Sequence, residues 1–446
     1  MKTENDPIEK VNRLIKNSVT IKLVTITILM LLLLIPASMI MSIITEREQM
    51  NELAITEVSS KWANSQEIIG PVLTIPVVYE YKNDEKIIET TKYWHLLPEN
   101  LKIEGSVEPQ NLKRGIYEVV VYQSNLSVSG DFRVAQSPDP TDLKEIKYHQ
   151  SFLTIGISDL RGIKNSIELQ WDEENLNVKP GSRISEIVYS GITVDVPDLQ
   201  EKLDRNIEFQ FSLDLQGSRN LSFTPVGNQT EVQLTSPWPS PSFNGNFLPD
   251  SREVGQGGFK ATWSVLQLNR NFPQWWIGDS NAVKMKESAF GVDLILPLDD
   301  YQKSFRSAKY AVMTIALTFL VFFLVEILNR KKIHPFQYTL VGLALCLFYT
   351  LLVSISEHSN FNLAYGISTL GIVAMISLYS LSIFKARKLT LLLVVILGGI
   401  YGFLFVTLQL ADYALLMGSI GLALILGATM YFTRNINWYQ LSIGGE

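Results

Sequence analysis

The run "TFLVFFLVEILNRKKIHPFQYTLVGLALCLFYT", residues 318–350, restricts what this chain can fold into more than any other stretch. It holds two almost unbroken apolar segments joined by the basic cluster Arg330, Lys331 and Lys332. About 20 apolar residues suffice for a helix to cross a bilayer, and in lipid a helix satisfies its own backbone. Six segments meet that length: residues 23–43, then stretches near 308–328, 336–356, 363–384, 389–409 and 412–433. Most charged residues fall between 45 and 305. The expected fold is therefore an α-helical membrane protein with six transmembrane helices and one large polar domain inserted between the first and second.

The basic residues orient the spans. Lys2, Lys10, Arg13, Lys16 and Lys22 precede the first. Arg330, Lys331 and Lys332 separate the second from the third, Lys385, Arg387 and Lys388 the fourth from the fifth, and Arg434 follows the sixth. The alternate short turns carry Glu357 and Asp412 and no Lys or Arg. Basic short loops stay cytoplasmic, so both termini are expected inside and residues 45–305 outside, which in a Gram-negative cell is the periplasm. "PAS" at 36–38 loosely resembles a signal-peptide cleavage site. The apolar stretch continues past it and exceeds the roughly 7–15 residues of a signal core, which favours a retained anchor.

Glu326 lies just inside the cytoplasmic end of the second span. At that depth a carboxylate can snorkel, and Arg330 at i+4 is its expected partner in a helix-end ion pair. The competing reading, a proton or ion relay, needs partners deeper in the membrane. No acidic or basic residue lies near the middle of any span, although Tyr349, Ser356 and Gln409 offer a polar path.

The inserted domain reads as β. Residues 46–67 have helical apolar spacing and no Gly or Pro, so they extend the first span as a helix, which Gly70-Pro71 should end. Residues 115–134 hold two strand-like runs. In 206–227, Ile207, Phe209, Phe211, Leu213 and Leu215 alternate with polar neighbours; a hairpin is expected to turn at Gln216-Gly217 and return through Leu221 and Phe223. Residues 229–236 repeat the alternation, whereas the Pro- and Gly-rich 236–259 reads as an irregular loop whose Trp238, Phe243 and Phe247 plug the core. Many short strands predict an antiparallel, sandwich-like, mainly-β domain. The expected organisation is a cytoplasmic N-terminus (1–22), transmembrane helix 1 (23–43), a helical extension (44–69), a periplasmic β-rich domain (70–305), a five-helix bundle (308–433) and a cytoplasmic tail (434–446).

Chemistry is sparse. The net charge of −6 argues against a nucleic-acid partner. The single cysteine, Cys346, excludes intramolecular disulfides and cysteine-based metal motifs. The four histidines are well separated, and no zinc helix, nucleophile elbow or phosphate loop is present. "GQGG" at 255–258 is a flexible turn, and Asp299-Asp300 falls where solvated charge is expected. In "ISDLRGI", Asp159 and Arg161 either stabilise a turn or join a ligand site. The candidate functional residues are Glu326, Glu357, His358, Asp412, Asp159 and Arg161. No enzyme activity, cofactor or metal is expected; the expected partners are the lipid bilayer and envelope proteins.

Several long segments together resemble the CreD family of bacterial inner-membrane proteins: "GPVLTIPV" (70–77), "ISDLRGI" (157–163), "WPSPSFNGNFLP" (238–249), "KYAVMTIALTFLVFFLVEIL" (309–328), "HPFQYTLVGLALCLFYTLLVSISEH" (334–358) and "TRNINWY" (433–439). The resemblance covers nearly the whole chain and implies a role in cell envelope integrity. In enterobacteria it also implies membership of the CreBC regulon, colicin tolerance and β-lactam responses. It brings no catalytic residues. A transporter or lipid-handling protein built on the C-terminal helices is the alternative. A sensor is disfavoured because the cytoplasmic segments are too short for an output domain.

Overall fold

The computed structural model describes residues 19–83, 86–294, 300–329, 331–410 and 413–434. The chain divides into two compact units. One comprises residues 1–51 and 298–446, the other residues 52–297.

The first unit is helical. Helix α1 (Val19–Trp62) is unbroken through Pro36. Its first part packs into an apolar core through Leu33, Ala37, Ile40 and Ile44, alongside Ile315, Phe319, Val341 and Leu345. At Gly342 the approach is so close that a Cβ would lie 2.1 Å from Leu33 Cδ1. After the short α2 (Ala282–Glu287) of the other unit, the chain continues with α3 (Asp300–Lys309), α4 (Ala311–Leu328), α5 (Pro335–Ser356), α6 (Phe361–Phe384), α7 (Arg387–Gln409) and α8 (Ala414–Thr433). Among the described residues five helices are long and apolar enough to cross a membrane: α1, α4, α5, α6 and α7. In α8 the apolar stretch Leu416–Tyr431 is shorter. His334 caps α5, accepting from the Phe336 amide at 3.2 Å, and Pro335 occupies the first turn, where its missing N–H costs nothing.

The second unit is mainly β, with one ten-stranded and one eight-stranded sheet among the described residues. In spatial order the eight-stranded sheet runs Ser251–Gly255, Gly258–Leu266, Gln229–Ser236, Asn100–Arg114, Tyr117–Arg133, Asn206–Ser218, Leu169–Trp171, Glu174–Leu176. Both sheets contribute to one core, for example Val72, Ile155 and Phe223 from one and Val128, Phe209 and Trp263 from the other. The alternation read over 206–215 is observed: Ile207, Phe209, Phe211 and Leu213 are buried while Asn206, Glu208, Gln210 and Ser212 are exposed.

Several sequence expectations need correction. The sheets are mixed, not purely antiparallel: Gln66–Ile69 run parallel to Leu221–Thr224, and Gln229–Thr235 parallel to Asn100–Ser106. The helix stops at Trp62, and Gly70-Pro71 does not end it. These two residues lie inside the strand Gln66–Asn83, at a register break between Ile69 and Val72, with Gly70 at φ +99°. A bulge tolerates Pro and favours Gly there. Residues 117–133 form one long strand, not two. No hairpin forms at Gln216-Gly217: the strand continues to Ser218, Arg219 turns at φ +63°, and Asn220–Thr224 crosses into the other sheet. Both strands alternate because both bury one face in the shared core. The stretch 236–259 also contains two short strands, Pro241–Gly245 and Ser251–Gly255. Trp238, Phe243 and Phe247 do pack against the core, Phe243 edge-on to both Phe259 and Trp263.

Candidate functional site

Glu326 stands in the last turn of α4, and it has no solvent exposure. One carboxylate oxygen accepts from Lys22 Nζ of α1 and from the Ile333 amide at 2.9 Å. The other accepts from the Tyr338 hydroxyl of α5 at 3.0 Å. Lys22 also donates to the Ile333 carbonyl at 2.8 Å and lies 6.0 Å from the centre of the Tyr338 ring. Tyr338 is itself enclosed by Phe319 and Phe322, edge-on at 5.4 and 6.0 Å. A carboxylate, an ammonium, a phenol and one loop peptide thus close on each other and tie α1, α4 and α5 together.

The carboxylate is buried, not exposed at the helix end as expected for a pair with Arg330. That residue lies outside the described residues; the cation that meets Glu326 is Lys22, from the first span. The energetic consequence also changes. An exposed pair contributes about 1 kcal/mol or less, whereas removing one partner of a buried pair costs about 3–5 kcal/mol because the other charge is orphaned.

The remaining candidates do not join Glu326. Glu357 caps the far end of α5, roughly 28 Å from Tyr338 at 1.5 Å per residue. It faces Arg47 Nε of α1 at 3.5 Å, an ion pair too long for a hydrogen bond from that nitrogen. His358 is exposed, its Nδ1 3.2 Å from the Ser354 carbonyl. Asp412 lies outside the described residues. Gln409 of the expected polar path bonds Asn362 at 2.6 Å, and Tyr349 meets Thr314 at 3.3 Å.

Asp159 and Arg161 belong to the β unit, where they clasp the end of α1. Arg161 grips the Asp159 carboxylate with two nitrogens, at 2.9 and 2.6 Å. Its third nitrogen donates to the Ser60 carbonyl at the last turn of the helix. The Asn64 amide donates to Asp159 Oδ2 at 2.9 Å. Beside them the buried Gln66 amide donates to the carbonyls of Asp159 and Gln216, each at 2.9 Å, and its oxygen accepts from the Asp159 amide at 3.1 Å. Gly162 leaves room for this: a Cβ there would lie 2.3 Å from the Gln216 carbonyl oxygen and 2.4 Å from Gln66 Nε2. The Arg161 guanidinium, aided by backbone donors, holds the Asp159 carboxyl down at about 2 against the opposing effect of burial. The turn-stabilising reading accounts for every contact of this pair. Sequence reasoning missed Lys22, Tyr338 and Gln66 as members of these clusters. Lys22 was legible only as one of several cations before the first span.

Among the described residues no group of three or more His, Cys, Asp or Glu is placed to hold a metal ion. His95 is buried beside Thr74, Nδ1 to Oγ1 3.0 Å, and against the Trp276 ring at 5.4 Å; burial pushes its pKa down to about 4. It is a neutral core residue at physiological pH. A shallow groove of about 580 Å³ opens between Glu108, Pro237, Glu253 and Lys260 beside the edge strand Ser251–Gly255.

A family profile described as inner membrane protein CreD matches residues 18–439. The chain belongs to the CreD family. The protein "Inner membrane protein CreD" of Escherichia coli (strain K12) is 33% identical over 419 residues, covering 93% of this chain and 92% of that protein. As a CreD family member with several apolar helices, the chain is a multi-pass inner-membrane protein. The CreD family match includes Lys22, Glu326, Tyr338, Asp159 and Arg161 within its limits.

Two outcomes are expected. In detergent-purified protein, Glu326→Ala lowers unfolding stability by about 3 kcal/mol, and Lys22→Met/Glu326→Leu together cost far less than the sum of the single changes. Additive losses in that double-mutant cycle, read by thermal melts, contradict the pairing. For Asp159, the folded pKa is below the unfolded value, so its stabilisation is complete above about pH 4 and disappears as pH falls toward 2. Asp159→Asn is expected to lower neutral-pH stability by roughly 1–2 kcal/mol, discounted for the half-exposed guanidinium, and to flatten stability between pH 4 and pH 2. An unchanged acid slope in titrated melts refutes this.

Proposed function

We propose that the chain is a non-enzymatic support of cell envelope integrity and stress response, acting through its β unit on envelope proteins outside the membrane. The observation that carries this reading is the closure of Glu326. Its two oxygens are engaged by Lys22, Ile333 and Tyr338, and the aromatic layer of Phe319 and Phe322 lies against Tyr338. A relay needs a carboxylate open to a path; this one holds helices together. The resemblance to the CreD family supplies the envelope role.

The proposed topology has six spans, α8 being the last, with both termini cytoplasmic and the β unit periplasmic. Its support is the alternation of basic clusters with the acidic turns at Glu357 and Asp412. The first span is retained in this reading: cleavage at 36–38 would remove Lys22 and leave Glu326 without its cation. Reporter fusions after Glu357 and Asp412 should register outside, and fusions after Lys332, Lys388 and Glu446 inside. An inside signal at Glu357 overturns the topology.

A transporter or lipid-handling reading has one observation in its favour. Tyr401, Ser368 and Ser380 are buried in the helical unit with side-chain oxygens that find no hydrogen-bond partner among the described residues. An exchange of helices separates the readings. Residues 308–433 are replaced by an unrelated five-span bundle of the same orientation that carries a counter-charge for Lys22. Complementation of a deletion strain, scored against detergents, colicins and β-lactams, should be retained. Loss despite correct insertion moves the function into the helices.

A further inference from the structure

Helix α3 (Asp300–Lys309) differs from every neighbour in its unit. It is short, strongly amphipathic and immediately precedes α4. Its face toward the bundle is made of Ser304, Ser307 and Ala308, each at most 3% exposed, and small side chains of this kind let helix backbones pack closely in lipid. At about 100° per residue, Lys303, Arg306 and Lys309 fall within an arc of about 120°, centred about 150° from that buried face.

Position and charge then point the same way. The chain passes from α3 into α4 through Tyr310 alone, so α3 lies where the span meets the headgroups. The site is at the end of the bundle opposite Glu326, since it precedes the first turn of α4 and Glu326 is in the last. Lys303 Nζ is 5.8 Å from the Phe361 ring at the start of α6, and Lys309 Nζ is 4.8 Å from the Phe305 ring. Among the described residues none of the three cations is ion-paired with a carboxylate. The nearby Glu357 is engaged by Arg47. Three cations at headgroup depth, two of them beside aromatic rings and none ion-paired among the described residues, match the phosphate layer of an acidic lipid.

We propose that α3 is a binding surface for anionic phospholipid headgroups, with Lys303, Arg306 and Lys309 as its phosphate-facing residues. Two arms make the test, using full-length protein in nanodiscs. In the first, melts are compared between phosphatidylcholine discs and discs containing phosphatidylglycerol, and native mass spectra count retained lipids. Wild-type protein is expected to melt several degrees higher with phosphatidylglycerol and to retain it over phosphatidylcholine by on the order of tenfold or more. Lys303→Gln/Arg306→Gln/Lys309→Gln should abolish most of both differences, and the charge-keeping Lys303→Arg/Arg306→Lys/Lys309→Arg should preserve them. A neutral variant that keeps the full preference overturns the proposal. The second arm needs no variant. Raising salt from ~0.1 to ~0.5 M should shrink the wild-type preference, because exposed charges are screened. A salt-independent preference, or an equal stabilisation by free glycerol phosphate added to phosphatidylcholine discs, refutes lipid headgroups as the ligand.

Discussion

In lipid, a buried charge must find its partners within the protein, and the pairing of Glu326 with Lys22 is where this chain meets that requirement. The two residues are separated by the whole β unit in sequence. Their contact brings the first span against α4 and α5, and Tyr338 and the Ile333 peptide complete the shell. Around this point the packing is apolar and close, with Leu33 against Gly342 and Phe319 and Phe322 around Tyr338. A buried pair enclosed in this way costs much to break.

The β unit solves a different problem. A long helix delivers the chain to it, and the first strand must begin where the helix ends. Asp159, Arg161 and Gln66 make that change of backbone possible: together they bond Ser60, Asn64 and the adjoining strand Asn206–Ser218 through Gln216. Further out along the helix, Glu57 pairs with Arg114 and Glu52 with Arg219, both exposed and of small energetic weight. Arg161 reaches the helix end at Ser60, Asp159 holds the Asn64 amide just beyond it, and the buried Gln66 amide ties Asp159 to the adjoining strand.

These two clusters share a logic that bears on function. Each uses polar groups for construction, binding separate segments of the chain together. The polar groups outside these two clusters include the cations of α3, which meet no carboxylate among the described residues, the groove beside the strand Ser251–Gly255, and the buried hydroxyls of the helical unit.

The sequence by itself determined the place of the apolar stretches, the large polar insertion, and the alternating strands at 206–215 and 229–236. Each follows from a local period, and local periods survive whatever the rest of the chain does. It also carried the family resemblance, because long ungapped segments are specific in combination. What it left undecided depended on contacts between distant residues. The hairpin expected at Gln216-Gly217 failed because both sheets bury a face in one core, so alternation on either side of a turn does not say which sheet the second strand joins. Gly70-Pro71 read as a helix end because a bulge is invisible without the partner strand. The partner of Glu326 was sought at i+4, the only distance a helix period can suggest. That residue, Arg330, lies outside the described residues, and the fold brings Lys22 from the first span, since a spanning helix can satisfy its backbone alone but a buried carboxylate must be met by whatever side chain the tertiary fold brings beside it.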